Sequence, residues 1–230
     1  DGVFGRLQPL LGEGSRWLGR ETALAVLNGV LGDYLQAKHN PLAISMQLRR
    51  AGQSLTLQRE ALAAAVPDAG GRVLLLIHGL GMNDLQWSSE QHNHGTALAA
   101  GLGYTPLFLH YNSGLHISIN GRCLSELLQA LQQQWPVPLE ELVIIGHSMG
   151  GLLARSACHY AQLSQASWLP RLSRLVCIAS PHHGAPLERG GNWFHVITDV
   201  SALTRPFSQL GKIRSAGITD LRYGNIIDED

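Results

Sequence analysis

Apolar positions follow two periods along this chain, one helical and one extended. Between residues 21 and 37, Leu24, Leu27, Leu31 and Leu35 recur at three- and four-residue steps, which predicts an amphipathic helix. His39-Asn40-Pro41 stops it, because the residue before a proline is pushed out of the helical region. Short extended runs over 44–48 and 54–57 flank Arg50-Ala51-Gly52-Gln53 and predict a β-hairpin. An alanine-rich helix over 60–66 ends at Pro67-Asp68-Ala69-Gly70-Gly71. Val73-Leu74-Leu75-Leu76-Ile77 is then apolar throughout, as a strand covered on both faces must be.

Beyond that strand the two periods alternate. A helix is expected over 87–102, a strand over 105–110 and a helix over 120–135, with Leu124, Leu127, Leu128 and Leu131 on one side. Leu142-Val143-Ile144-Ile145 forms the next strand, 152–157 the start of a helix, and 175–179 a further buried strand. Strands and helices in this alternation predict a parallel sheet with helices on both faces. Residues 186–230 hold only short apolar pieces, split by Gly191, Pro206, Gly211, Gly217 and Gly224, and read as a cap or lid-like excursion.

The 230 residues are 45% hydrophobic and 15% charged, which describes a globular chain with room for a full core. Their formal net charge is +0, which argues against an electrostatic nucleic-acid binder. The three cysteines, Cys123, Cys158 and Cys177, stand apart and read as small buried hydrophobes, with neither disulfide nor zinc spacing. No run approaches the length of a membrane span, so no transmembrane segment is expected. No signal peptide is visible either, which slightly favours the cytoplasm, although the chain starts at Asp1 without methionine. Nothing in the pattern bears on oligomeric state.

The chemistry concentrates where the strand over 142–145 runs into Gly146-His147-Ser148-Met149-Gly150-Gly151. A strand, Gly-x-Ser-x-Gly and a helix are the parts of a nucleophile elbow. The turn strains the backbone at Ser148, and side chains two residues to either side would collide with neighbouring chain, hence Gly146 and Gly150. Ser148 then stands at a helix N-terminus that favours developing negative charge. An oxyanion hole is signalled where the earlier strand ends in His78-Gly79-Leu80-Gly81. Gly79 permits a tight turn, and the N–H groups of Leu80 and Met149 are the expected donors.

These residues resemble the α/β-hydrolase superfamily, in its lipase and esterase branch. The likeness is to bacterial lipases and GPI inositol-deacylase-like serine hydrolases. It rests on Ile77-His78-Gly79-Leu80, on the elbow, and on Ser180-Pro181-His182-His183-Gly184-Ala185-Pro186, and it spans roughly 70–190. The resemblance implies a serine nucleophile that forms an acyl-enzyme and hands the acyl group to water. It implies no cofactor and no metal, and a small-molecule or lipid ester as substrate.

The acid and base of a triad are harder to find. The fold's chain order is nucleophile, acid, histidine, yet after Ala185 there is one histidine, His195, and no apolar strand ending in an aspartate. Asp199 and Asp220 lie in the cap-like stretch. The expectation is therefore a chain cut before its last strands, with no carboxylate-held imidazole at Ser148; His195, His182 or His183 held there by Asp199 or Asp220 would contradict it. His147 is expected to pack beneath the elbow and His182 and His183 to belong to a structural turn.

The reading is a three-layer α/β/α hydrolase fold with a mostly parallel sheet, an N-terminal helix and β-hairpin lead-in, and its C-terminal strands missing from this sequence. Residues 1–40 form the N-terminal helical segment and 41–230 the hydrolase domain. The reaction is carboxylic ester hydrolysis on Ser148. The alternatives are a catalytically silent hydrolase-like binding module, or an acyltransferase or thioesterase using the same nucleophile.

Overall fold

A computed structural model describes residues 13–89, 92–184 and 215–228. Its first element, α1 (Glu13–Ala37), is followed by the hairpin strands β1 (Gln47–Arg50) and β2 (Gln53–Ser54) and by α2 (Arg59–Ala65). The central elements are β3 (Arg72–Ile77), β4 (Ser88–Ser89), β5 (His92–Asn93), α3 (His94–Leu102), β6 (Thr105–His110) and α4 (Ile117–Gln134). Next come β7 (Glu141–His147), α5 (Met149–Leu163), β8 (Leu172–Ile178) and α6 (Ala216–Tyr223).

Six strands make one sheet in the order β2-β1-β6-β3-β7-β8. The β1 strand runs antiparallel to β6, while β6, β3, β7 and β8 are mutually parallel. Period-two alternation along β3 divides its side chains between two cores. Val73, Leu75 and Ile77 pack with α4 and α5 through Leu124, Leu128, Met149 and Leu152. Leu74 and Leu76 pack on the other face with Phe108, Val143, Ile145 and Ala99 of α3. The result is the three-layer α/β/α architecture that the strand and helix alternation predicts.

Chain order places the site. From β3 the chain winds one way to β6 and then crosses to β7 on the other side. The carboxyl ends of β3 and β7 therefore flank a topological switch point, where open α/β sheets bind ligands.

Two expectations need correction. The stretch 87–102 is not one helix: a 3-10 turn (Asp84–Trp87) and a two-stranded ribbon of β4 and β5 precede α3. Side-chain caps set these boundaries. Asn83 accepts from Leu85 N at 3.1 Å and Asn93 accepts from Thr96 N at 2.8 Å, each outweighing a weak apolar period. The strand β8 is also less buried than its composition predicts. Val176 and Ile178 are 41% and 45% exposed, and the strand stops at Ile178 because Ala179 turns to φ +51°.

Candidate active site

Ser148 follows the last residue of β7 and caps α5. Its backbone sits at φ 52° and ψ −122°, a region that costs a non-glycine residue on the order of 1–3 kcal/mol. Hydrogen bonds from Ser148 N to the Ile178 carbonyl (2.8 Å) and from Gly151 N to the Ser148 carbonyl (3.2 Å) hold it there. The flanking glycines are steric necessities. A Cβ at Gly146 would lie 2.5 Å from Gly151 N, and one at Gly150 would lie 2.5 Å from the Ile77 carbonyl oxygen.

The chain after β3 turns tightly against this serine. Met82 N donates to the Gly79 carbonyl at 3.3 Å, and Gly81 at φ +67° makes this a type II turn with Leu80 at its second position. A Cβ on Gly79 would stand 3.1 Å from Ser148 Cβ. The Leu80 and Met149 side chains are both buried.

His78 points away from the cleft. It is buried, stacked on Tyr111 with ring centroids 4.4 Å apart, and its Nδ1 lies 2.9 Å from the Gly79 carbonyl, which it serves as donor. Burial drives its pKa from 6.5 down to about 3, so the folded state holds it neutral. Burial lowers His147 as well. A depressed histidine contributes stability above its unfolded pKa, and that stability is lost as pH falls from about 6.5 toward about 3. Unfolding free energy should thus drop on acidification through this window, by up to about 1.4 kcal/mol per pH unit for His78. His78→Phe keeps a ring on Tyr111 and removes the titration. Urea denaturation between pH 7 and 4.5 should show a slope reduced by about one proton; an unchanged slope would refute the assignment to His78.

A buried ionic network braces the same loop from outside. Arg49 Nη1 of β1 donates to Glu21 of α1 at 2.9 Å and to Asp84 at 3.1 Å. His110 Nδ1 lies 3.3 Å from the same Asp84 oxygen, off the line of a good hydrogen bond. Burial opposes ionisation of Asp84, but His110 and the Arg49 charge outweigh it and hold the carboxyl below its ordinary range. Asp84→Ala would leave Arg49 buried with Glu21 alone. We expect a loss of about 3 kcal/mol, the low end for breaking a buried pair, because Glu21 still neutralises the guanidinium. A loss below about 1 kcal/mol in denaturant titration would show that the network is dispensable.

The histidines sort by their partners. Arg155 donates to His182 Nδ1 at 2.9 Å, and both His182 and His183 are exposed. Asp220 of α6 holds His116 instead, accepting from its Nδ1 at 3.1 Å while also accepting from Ile117 N at 2.8 Å. Among the described residues no imidazole hydrogen-bonds to the Ser148 hydroxyl. His195 and Asp199 lie outside the described residues. Among the described residues no three metal-ligating side chains converge, and no helix is long and apolar enough to cross a membrane.

Sequence reasoning missed Ser113, whose hydroxyl accepts from Gly81 N at 2.9 Å, and the pairing of Arg49 with Asp84. The signal for Ser113 was present. Asn112-Ser113-Gly114 is a turn cluster at the carboxyl end of a strand, the edge where ligands bind.

The sequence profile of a family described as a PGAP1-like alpha/beta domain matches residues 68–230, well over half the chain. Among solved structures the chain is similar to the lipase BlEst2 of Bacillus licheniformis, in mature and propeptide forms, at 19% identity and a TM-score of 0.47 in each case. These matches cover 66% and 67% of this chain, but the chain spans only 55% and 30% of the two lipase chains. A deformylase, Nfo from Pseudomonas putida, is similar at 19% identity and a TM-score of 0.40, over 70% of this chain and 68% of that one. No curated protein matches.

Proposed function

The chain belongs to the PGAP1-like alpha/beta domain family, of α/β-hydrolase type, and from that premise we propose that it cleaves carboxylic esters through an acyl-enzyme on Ser148. The observation that carries this reading is the strained Ser148 backbone at φ 52° and ψ −122°, at the head of α5 and against the Gly79–Met82 turn. Strain of this kind persists where the surrounding structure over-determines it, and it exposes the hydroxyl at a helix N-terminus.

In this mechanism Ser148 Oγ attacks the ester carbonyl and passes its proton to an imidazole base supplied from outside the described residues. The carbonyl oxygen becomes an oxyanion held by the N–H groups of Leu80 and Met149. Collapse expels the alcohol, protonated by the imidazolium, and leaves the acyl group on Ser148. Water, deprotonated by the same imidazole, then attacks; the oxyanion re-forms and collapses to release the acid as the proton returns to Ser148 Oγ. Gly79, Gly146 and Gly150 support this chemistry by letting three backbone segments meet. The substrate is a small-molecule or lipid ester.

A fluorophosphonate probe tests the reading directly. The wild-type protein should be labelled covalently, with the adduct mapped by mass spectrometry to Ser148. Absence of labelling, with no turnover of short-chain p-nitrophenyl esters, would favour a catalytically silent binding module.

A further inference from the structure

The turn that presents Leu80 is itself held, and the holding groups come from loops and a helix far away in sequence. Ser113 is 1% exposed, and its Oγ accepts the Gly81 N–H at 2.9 Å. Beside that hydroxyl, α1 presses a glycine onto the same residue. A Cβ on Gly29 would stand 2.8 Å from Gly81 Cα, 3.0 Å from Gly81 N and 3.5 Å from Ser113 Oγ. The Ser113 loop is fixed in turn. Asn112 Nδ2 donates to the Gly32 carbonyl of α1 at 2.9 Å, Asn120 Nδ2 of α4 donates to the Asn112 carbonyl at 2.9 Å, and Gly217 N donates to the Gly114 carbonyl at 3.0 Å.

We infer that Ser113 is a positioning residue that locks the oxyanion turn in its type II form, with Gly29 of α1 as the wall behind it. The inference rests on the hydrolase reading above. A type II turn converts to type I by flipping its central peptide, here the one between Leu80 and Gly81. The Gly81 N–H belongs to that peptide, so the Ser113 hydroxyl selects one of the two orientations. Without it, both forms compete and the Leu80 amide, one peptide upstream in the same turn, loses its fixed aim at the oxyanion. Misplacement of such a group by about 1 Å costs on the order of a hundredfold in rate. The wall is supplied from outside the family-matched region, which begins at residue 68. The helix α1 is on this account a working part of the catalytic cleft.

The test uses the full chain and a p-nitrophenyl ester, with a boronic acid as transition-state analogue. Ser113→Ala should lower kcat by about 10- to 100-fold with KM within about threefold, and weaken boronate binding in parallel with kcat. Ser113→Thr keeps the oxygen and should recover most of the rate. Gly29→Ala would crowd Gly81 Cα and N and should show the same split between kcat and KM. Amide exchange at Gly81, followed by NMR, should accelerate in Ser113→Ala and reports the lock without any activity. The inference is overturned if Ser113→Ala keeps kcat within about threefold of a wild type that fluorophosphonate labels, or if Gly81 exchange is unchanged. A wild type that neither labels nor turns over would remove the hydrolase reading and this inference with it.

Discussion

Ser148→Ala should leave a folded protein with ester turnover reduced by about a millionfold, to the background set by whatever binding and oxyanion stabilisation remain. The two halves of this expectation have separate grounds. Loss of the nucleophile removes the acyl-enzyme route altogether, so the rate falls to that of water attacking a merely positioned ester. Stability should hardly change, because the Ser148 hydroxyl has no hydrogen-bond partner among the described residues and its removal strands no buried group. The strained backbone at φ 52° remains equally strained for alanine, since both residues carry a Cβ. Steady-state kinetics with p-nitrophenyl butyrate, beside a thermal melt, decides the matter. Residual turnover within tenfold of wild type would mean that another group attacks the ester, whatever the melt shows.

Much of the scaffold around Ser148 was legible in the sequence, for a physical reason. Strands covered on both faces have no polar side to interrupt them, so β3 and β6 stand out as apolar runs, and the run over 105–110 coincides with β6. The elbow is legible because three glycine-dependent close approaches fall within a few residues of one another or of a strand end. What escaped is held by contacts between remote positions. Ser113 meets Gly81 across 32 residues and Arg49 meets Asp84 across 35. Neither pair has a local period or spacing. Each partner has an ordinary local reading as well, Ser113 in a turn and Arg49 at a hairpin end. The boundary of α3 was misread for a smaller reason, because the period of 87–102 was followed and the Asn93 cap was not.

Gly150→Val should cost both stability and activity, and the neighbourhood of each glycine explains why. At Gly150 an added Cβ meets the carbonyl oxygens of Ile77 at 2.5 Å and His78 at 2.7 Å. Both are backbone atoms at the end of β3, whose register to β7 is fixed through Ile77 and Gly146, so they cannot swing aside as a side chain would. Relief requires the head of α5 to move away from β3, and Ser148 moves with it, away from the turn carrying Leu80. Overpacking of this sort costs on the order of 1–3 kcal/mol, which for a domain of this size lowers the melting temperature by roughly 2–12 °C. The displacement should reduce activity by more than about a hundredfold even in the protein that stays folded. Gly101 on α3 supplies the control, since nothing lies within 4 Å of a Cβ placed there. Gly101→Ala should keep full activity and gain about 0.5–1 kcal/mol, the ordinary benefit of replacing a helical glycine. A Gly150→Val protein that melts with wild type and hydrolyses ester at the wild-type rate would show that β3 and the elbow do not meet as described.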